Sequence, residues 1–180
     1  MGRTGKMWAA EHFNAVPDIM AIAKGMASGL PLGATVARAD LMRWAPGAHA
    51  STFGGNPVAC AAALVTIELL EQELIDNAAR MGAHLMARMR DWPARVPIVG
   101  DVRGLGLMLG VELVHDQQSK TKAPGLRDRV VRLAFERGLL ILGAGDNTMR
   151  LSPPLIISRD QCEFALDTLE ECLTLAMREV

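Results

Sequence analysis

Apolar residues recur along this 180-residue chain with two periods, and proline, glycine and asparagine mark where one pattern gives way to the other. Asp18 to Ala23 is a short apolar run after Pro17 that ends at Lys24-Gly25, and it predicts a buried strand delivering Lys24 at its C-terminal end. Gly29 to Gly33 is turn chemistry, and Ala34 to Ala37 reads as a second strand. Asp40 is placed to cap a short helical turn through Trp44. Asn56-Pro57 then predicts a helix start, because asparagine accepts from the free amides and proline suits the first helical position. Val58, Ala61, Ala62, Val65 and Leu69 carry a 3.6-residue period to about Gln72, and a second helix is expected from about Leu74 to Arg90, before Pro93. Residues 1 to 17 hold no recognisable element.

Beyond Pro97 the pattern alternates. Leu105, Leu107, Leu109, Val111 and Leu113 predict one face of a strand, with Gly106, Met108, Gly110 and Glu112 on the other. Pro124 opens a helix running to Arg137 and closed by Gly138. Leu139 to Leu142 and Met149 to Leu151 read as short strands around the turn at residues 143 to 147. Ser158 and Gln161 have capping-box spacing, and Cys162, Ala165, Leu166, Leu169, Cys172, Leu173 and Ala176 form the apolar stripe of a final helix. The chain therefore divides into an α/β part over 1–75 and a small α+β part over 76–180.

Composition narrows the class without choosing a function. Half the residues are hydrophobic, 22% are charged and the net charge is −1, which is ordinary for a globular protein. No basic stretch with interleaved aromatics calls for nucleic acid, and no apolar run is long enough to span a bilayer. Three widely spaced cysteines without a CxxC pair favour a reducing, cytoplasmic setting. The four histidines show no metal-ligand spacing, so no metal is expected. Gly2 to Lys6 is not a P-loop: two residues separate its glycines where four are needed, and no strand precedes it.

Of the four lysines, Lys6, Lys120 and Lys122 sit in polar stretches, whereas Lys24 follows an apolar strand. Desolvation there disfavours the ammonium; reaching a pKa of roughly 7 to 8 from about 10.4 requires about 3 to 5 kcal/mol. A neutral amine so placed can attack an aldehyde and form a Schiff base. A strand-end lysine snorkelling to water is the plainer alternative. Thr52 to Pro57 combines a hydroxyl, glycine amides and a helix N-terminus, which suits a phosphate, although a simple loop and helix cap needs the same residues. Arg150, with apolar neighbours in a strand pattern, has the fork geometry for a carboxylate, against the common solvated strand arginine.

The ordered blocks GRTGKMWAAEH, PDIMAIAKGMASGLPLGA, STFGGNPVACAAAL, GDVRGLGLMLGVEL and MRLSPPLI resemble the class III aminotransferases. These are fold-type-I pyridoxal-phosphate enzymes that include the 4-aminobutyrate and acetylornithine aminotransferases. The resemblance implies that residues 1–75 are the C-terminal remainder of a cofactor-binding large domain and residues 76–180 a small C-terminal domain with its linking helix. It implies that Lys24 is the Schiff-base lysine, that Thr52 binds the phosphate of pyridoxal 5′-phosphate from the partner subunit of a homodimer, and that Arg150 binds the substrate carboxylate. The implied reaction moves an amino group from an amino acid or ω-amino compound such as 4-aminobutyrate to a 2-oxo acid, with Lys24 relaying the proton. Racemase, aminomutase or decarboxylase chemistry on the same fold is the alternative, and a non-catalytic remnant with an interaction surface is another.

Family members carry an N-terminal half with a glycine- and serine-rich phosphate loop, a stacking aromatic and an Asp for the pyridine nitrogen. Here Met1 stands where the family has Phe before Gly-Arg-Thr-Gly, so the chain is expected to be a fragment, weakly active or inactive alone. It should also expose a sheet edge and an apolar face.

Overall fold

The computed structural model describes residues 1–178. The chain folds as two compact units, one comprising Met1–Gly2 and Lys6–Ile75, the other Arg3–Gly5 and the described residues from Asp76 onward.

The first unit contains strand β1 (Ile19–Ile22) and strand β2 (Ala34–Ala37), which pair antiparallel as a two-stranded sheet with Ile22 opposite Ala34. The helix predicted from Asn56 is present as α1 (Pro57–Leu69), capped by the Asn56 side chain, which accepts from the Ala59 amide at 2.9 Å. A short 3₁₀ helix, Lys24–Ala27, docks on α1 through Ala27, Ala59 and Ala63, with Met26, Leu32 and Ala62 around them. Ser28 and Thr66 hydroxyls lie 2.8 Å apart and tie the two helices together.

Three expectations need correction here. The stretch read as featureless contains a 3₁₀ helix, Ala9–Phe13, begun by the Trp8 amide donating to Glu11 Oε1 at 2.6 Å. Asp40 caps no helix, and residues 39–41 form a turn in which Asp40 pairs with Arg38 at 2.8 Å. Strand β1 is not buried: Ile19 is 60% exposed, because within this unit the apolar contacts are made by the helices and not by the two-stranded sheet. Phe13, Val16, Trp44, Phe53, Val58, Leu64 and Val65 are likewise exposed.

Helix α1 passes through a π-helical turn, Leu70–Leu74, directly into α2 (Ile75–Met89). The sequence reads this stretch as two helices, and no glycine or proline marks the π turn. A short helix α3 (Trp92–Arg95) follows.

The second unit is a four-stranded antiparallel sheet with α2, α4 and α5 contributing to its core. Its strands are β3 (Val99–Leu105), β4 (Met108–Leu113), β5 (Leu142–Ala144) and β6 (Thr148–Leu151), in the order β3-β4-β6-β5. The single strand expected from Leu105 to Leu113 is instead a hairpin that turns at Gly106-Leu107. Leu107 is buried in the turn, but Leu105 pairs with Met108 and is 40% exposed, so it does not share the face of Leu109, Val111 and Leu113 as expected. Helix α4 (Pro124–Glu136) and helix α5 (Arg159–Met177) lie where the sequence places them, and Ser158 and Gln161 form the reciprocal capping box. All seven residues of the expected α5 stripe face inward, six fully buried and Ala165 half-buried. Trp92 fills the end of this core and donates its indole N–H to Glu170 at 2.9 Å. Among the described residues no helix is long and apolar enough to cross a membrane.

One titratable group in this core makes stability depend on pH. His84 of α2 donates its Nε2–H to Glu163 of α5 at 2.7 Å, and Arg88 also binds Glu163. Burial, and then the charges of Arg159 and Arg88, push His84 below its ordinary value. The unfolded chain therefore takes up this proton first, and stability falls as pH drops through the ordinary histidine value of about 6.5 and levels off below the folded one. Acidification from pH 7.5 to 5.5 should lower the melting temperature, and His84→Gln, which keeps a donor but cannot titrate, should shrink that loss. An equal loss in the variant would contradict this.

Candidate active site

Lys24 stands two residues beyond the last residue of β1 and opens the 3₁₀ helix with a left-handed φ of 57°. Ser28 closes the same helix at φ 48°, so two non-glycine residues within five hold a conformation that costs of order 1–3 kcal/mol each. Such strain persists only where the surroundings impose it, here the docking of Ala27 and Ser28 on α1. The Lys24 side chain is exposed, and its amine makes no hydrogen bond or ion pair among the described residues. The dry setting expected from the sequence is therefore not built within this unit, for the same reason that β1 is uncovered.

The loop before α1 is ordered by its own side chains. Gly54 N–H donates to Ser51 Oγ at 3.0 Å, and a Cβ on Gly54 would lie 2.8 Å from that oxygen. Gly55 turns at φ 73°, and both the amide and the side-chain Nδ2 of Asn56 donate to Phe53 O, at 3.3 and 3.1 Å. The expected cradle of amides is narrowed: Gly54, Asn56 and Ala59 N–H groups are already satisfied internally, while the Phe53 and Gly55 N–H groups make no hydrogen bond among the described residues. The Thr52 hydroxyl is exposed and has no partner among the described residues, and it precedes the positive end of the α1 dipole. An unpaired amine and an unpaired hydroxyl near a helix N-terminus fit the aldehyde and phosphate ends of pyridoxal phosphate respectively. No hydrogen bond joins Lys24 to Thr52 among the described residues.

Arg150 belongs to the second unit. It lies on β6 opposite Gly110 of β4 and Leu142 of β5, on the face away from the buried Met149 and Leu151. Its guanidinium is exposed and has no partner among the described residues. Farther along the same face Arg103 binds Asp101 at 2.8 Å and Glu112 at 2.7 Å. That guanidinium, and then the Asn147 amide, hold the Glu112 carboxyl below the usual carboxylate range. Glu112 is thus committed to a structural network. Arg150 also edges an apolar cleft of about 500 Å³ with Leu140, Leu142, Pro153 and Phe164. Among the described residues no cluster of histidine, cysteine, aspartate or glutamate could hold a metal ion.

Sequence reasoning missed Arg3 and Asn77, whose side chains bind backbone carbonyls around the turn that follows Arg150. The G-R-T-G run held a signal, since glycines on both sides of an arginine permit close approach, but its partners are more than a hundred residues away.

The model of the class-III aminotransferase family matches residues 1–173. An acetylornithine aminotransferase from Gloeobacter violaceus is 43% identical over 172 residues, covering 94% of this chain and 41% of that protein. A leucine/methionine racemase from Thermococcus litoralis is 42% identical over 175 residues, covering 96% of this chain and 40% of the relative. An amine transaminase from an uncultivated Pseudomonas species, solved in its PLP-bound form, superposes with a TM-score of 0.89 at 34% identity, over 97% of this chain and 42% of that one. The chain thus spans about two fifths of the length of these relatives.

Proposed function

Because the chain belongs to the class-III aminotransferase family, whose enzymes depend on pyridoxal phosphate, we propose that it carries pyridoxal 5′-phosphate on Lys24 and takes part in amino transfer to a 2-oxo acid. The observation that carries this reading is the Lys24 amine, unpaired and held at a strand's end by a strained backbone. Bound, the cofactor supplies an aldehyde for an amine and an electron sink for charge developing at the substrate carbon. Lys24 contributes that amine and, once displaced by the amino donor, a base placed to move a proton at the same carbon. Thr52 donates its hydroxyl to a phosphate oxygen, with the α1 N-terminus favouring the negative charge. Arg150 donates in fork geometry to the substrate carboxylate.

Thr52 is assigned to the Lys24 of a second copy, in a homodimer that covers the apolar side chains left exposed on the first unit. That cover would also supply the dryness the Lys24 amine requires. The donor is taken as 4-aminobutyrate or another ω-amino compound, on the sequence resemblance alone.

A racemase reading has specific support, because a racemase relative matches as well as the aminotransferases do. An amino donor incubated in D₂O with the cofactor-loaded protein separates the two. Release of a keto or aldehyde product is expected. Recovery of the amino acid as its opposite enantiomer, with deuterium at the α-carbon and no keto product, would establish the racemase reading instead.

A further inference from the structure

The segment that follows Arg150 is irregular and carries two prolines, so it cannot hold itself by a backbone ladder. Its carbonyls are tied instead by donors from elsewhere. Asn77 of α2 donates its side-chain amide to Leu155 O at 2.7 Å and Ile157 O at 3.0 Å. Ile157 N–H donates to Pro154 O at 3.1 Å. The Pro153 carbonyl accepts from the guanidinium of Arg3, whose Nη1 also donates to Leu107 O at 3.3 Å. Arg3 is itself fixed, because its carbonyl accepts from Leu107 N–H at 2.8 Å. The residues after it lie flush against Gly106, where a Cβ would come within 2.4 Å of the Thr4 carbonyl carbon. Arg3 therefore joins two points, the β3–β4 turn and the carbonyl three residues beyond Arg150. Pro153 and Arg150 line the same cleft.

We propose that Arg3 is a positioning residue for Arg150: it pins the Pro153 turn to the β3–β4 hairpin and so fixes how β6 presents the carboxylate-binding guanidinium. Ladder pairs with Gly110 and Leu142 hold Arg150 and the pair with Leu109 holds Leu151, and the Arg3 guanidinium holds Pro153, two residues past the last pair. This rests on the reading that Arg150 receives the substrate carboxylate.

The test is a titration of the purified chain with glutarate, followed on the Arg150 Nε–H resonance or, where that residue is replaced, on the amides around it. Hydrogen exchange of the Ser152, Leu155 and Ile157 amides is measured in parallel. Arg150→Ala should weaken glutarate about tenfold, the scale of a lost charge-assisted pair. Arg3→Ala should weaken it about fivefold, as expected when a supporting residue is lost. It should also speed exchange at 152–157 while amides of β4 and α5 stay protected, and in the Arg150→Ala background it should add nothing to the loss. If Arg3→Ala does not fold, Arg3→Lys bears the same test: the shorter lysine does not carry its ammonium to the Nη1 position from which both carbonyls are reached, and an intermediate loss is expected. An Arg3 variant that binds glutarate like the parent while Arg150→Ala does not, or one that weakens binding equally with and without Arg150, overturns the inference alone. Unchanged binding in Arg150→Ala removes the carboxylate role and the inference with it.

Discussion

In any preparation of this chain that turns over an amino donor, Lys24→Ala is expected to lower the rate about a thousandfold or more, since a positioned general base alone contributes about 10²–10⁴. The same side chain is assigned two tasks, holding the cofactor and moving a proton, so both fail together. Lys24→Arg should be as impaired, because a guanidinium stays charged and cannot act as a nucleophile. Single-turnover kinetics with added cofactor measures this. A variant retaining activity within tenfold of the parent would place the chemistry elsewhere, while Lys120→Ala and Lys122→Ala should change little, their amines being engaged by Gly100 O and Asp146 at 2.8 and 2.6 Å.

The largest effect on stability is expected at the contact between Gly82 and Gly106. A Cβ on Gly82 of α2 would lie 2.2 Å from Gly106 O and 2.5 Å from Gly106 Cα, and both obstacles are backbone. Gly106 cannot retreat, because it turns at φ 51° with Arg3, Thr4 and Gly5 packed behind it. Gly82→Ala should therefore cost about 3 kcal/mol, the upper end of ordinary overpacking, and lower the melting temperature on the order of 10 °C. Gly125→Ala is the matched control: it lies in the first turn of α4 with nothing within 4 Å, and alanine favours a helix. Thermal denaturation followed by circular dichroism decides it, and equal melting of Gly82→Ala and the parent would show that the helix is not seated on this turn.

What the sequence revealed of this fold tracks how local the determining physics is. Asn56-Pro57, Pro124 with Gly138, and Ser158 with Gln161 each specify a helix end from a few adjacent residues, and those ends lie where expected. The α5 stripe was legible because one face of one helix supplies much of the core. The hairpin turn at Gly106-Leu107 was hidden because the leucines alternate through it in sequence although the turn sets Leu105 opposite Met108 on the exposed face, and what buries Leu107 includes Arg3, distant in sequence. The exposure of β1 and Lys24 could not be read from their apolar composition either, because composition states what a strand can bury and not what covers it. For the candidate site, the loop at Thr52 was legible as a helix cap, but that Ser51 and Phe53 take the Gly54 and Asn56 donors was not. Arg150 was legible by position, but the side chains that steady its strand were not.

Peptide mapping after borohydride reduction of the purified chain with equimolar pyridoxal phosphate tests the central claim most directly. The label is expected on the peptide that contains Lys24, with Lys6, Lys120 and Lys122 unmodified. A label on one of those three, or one spread evenly over all four, would contradict the assignment of the cofactor to Lys24.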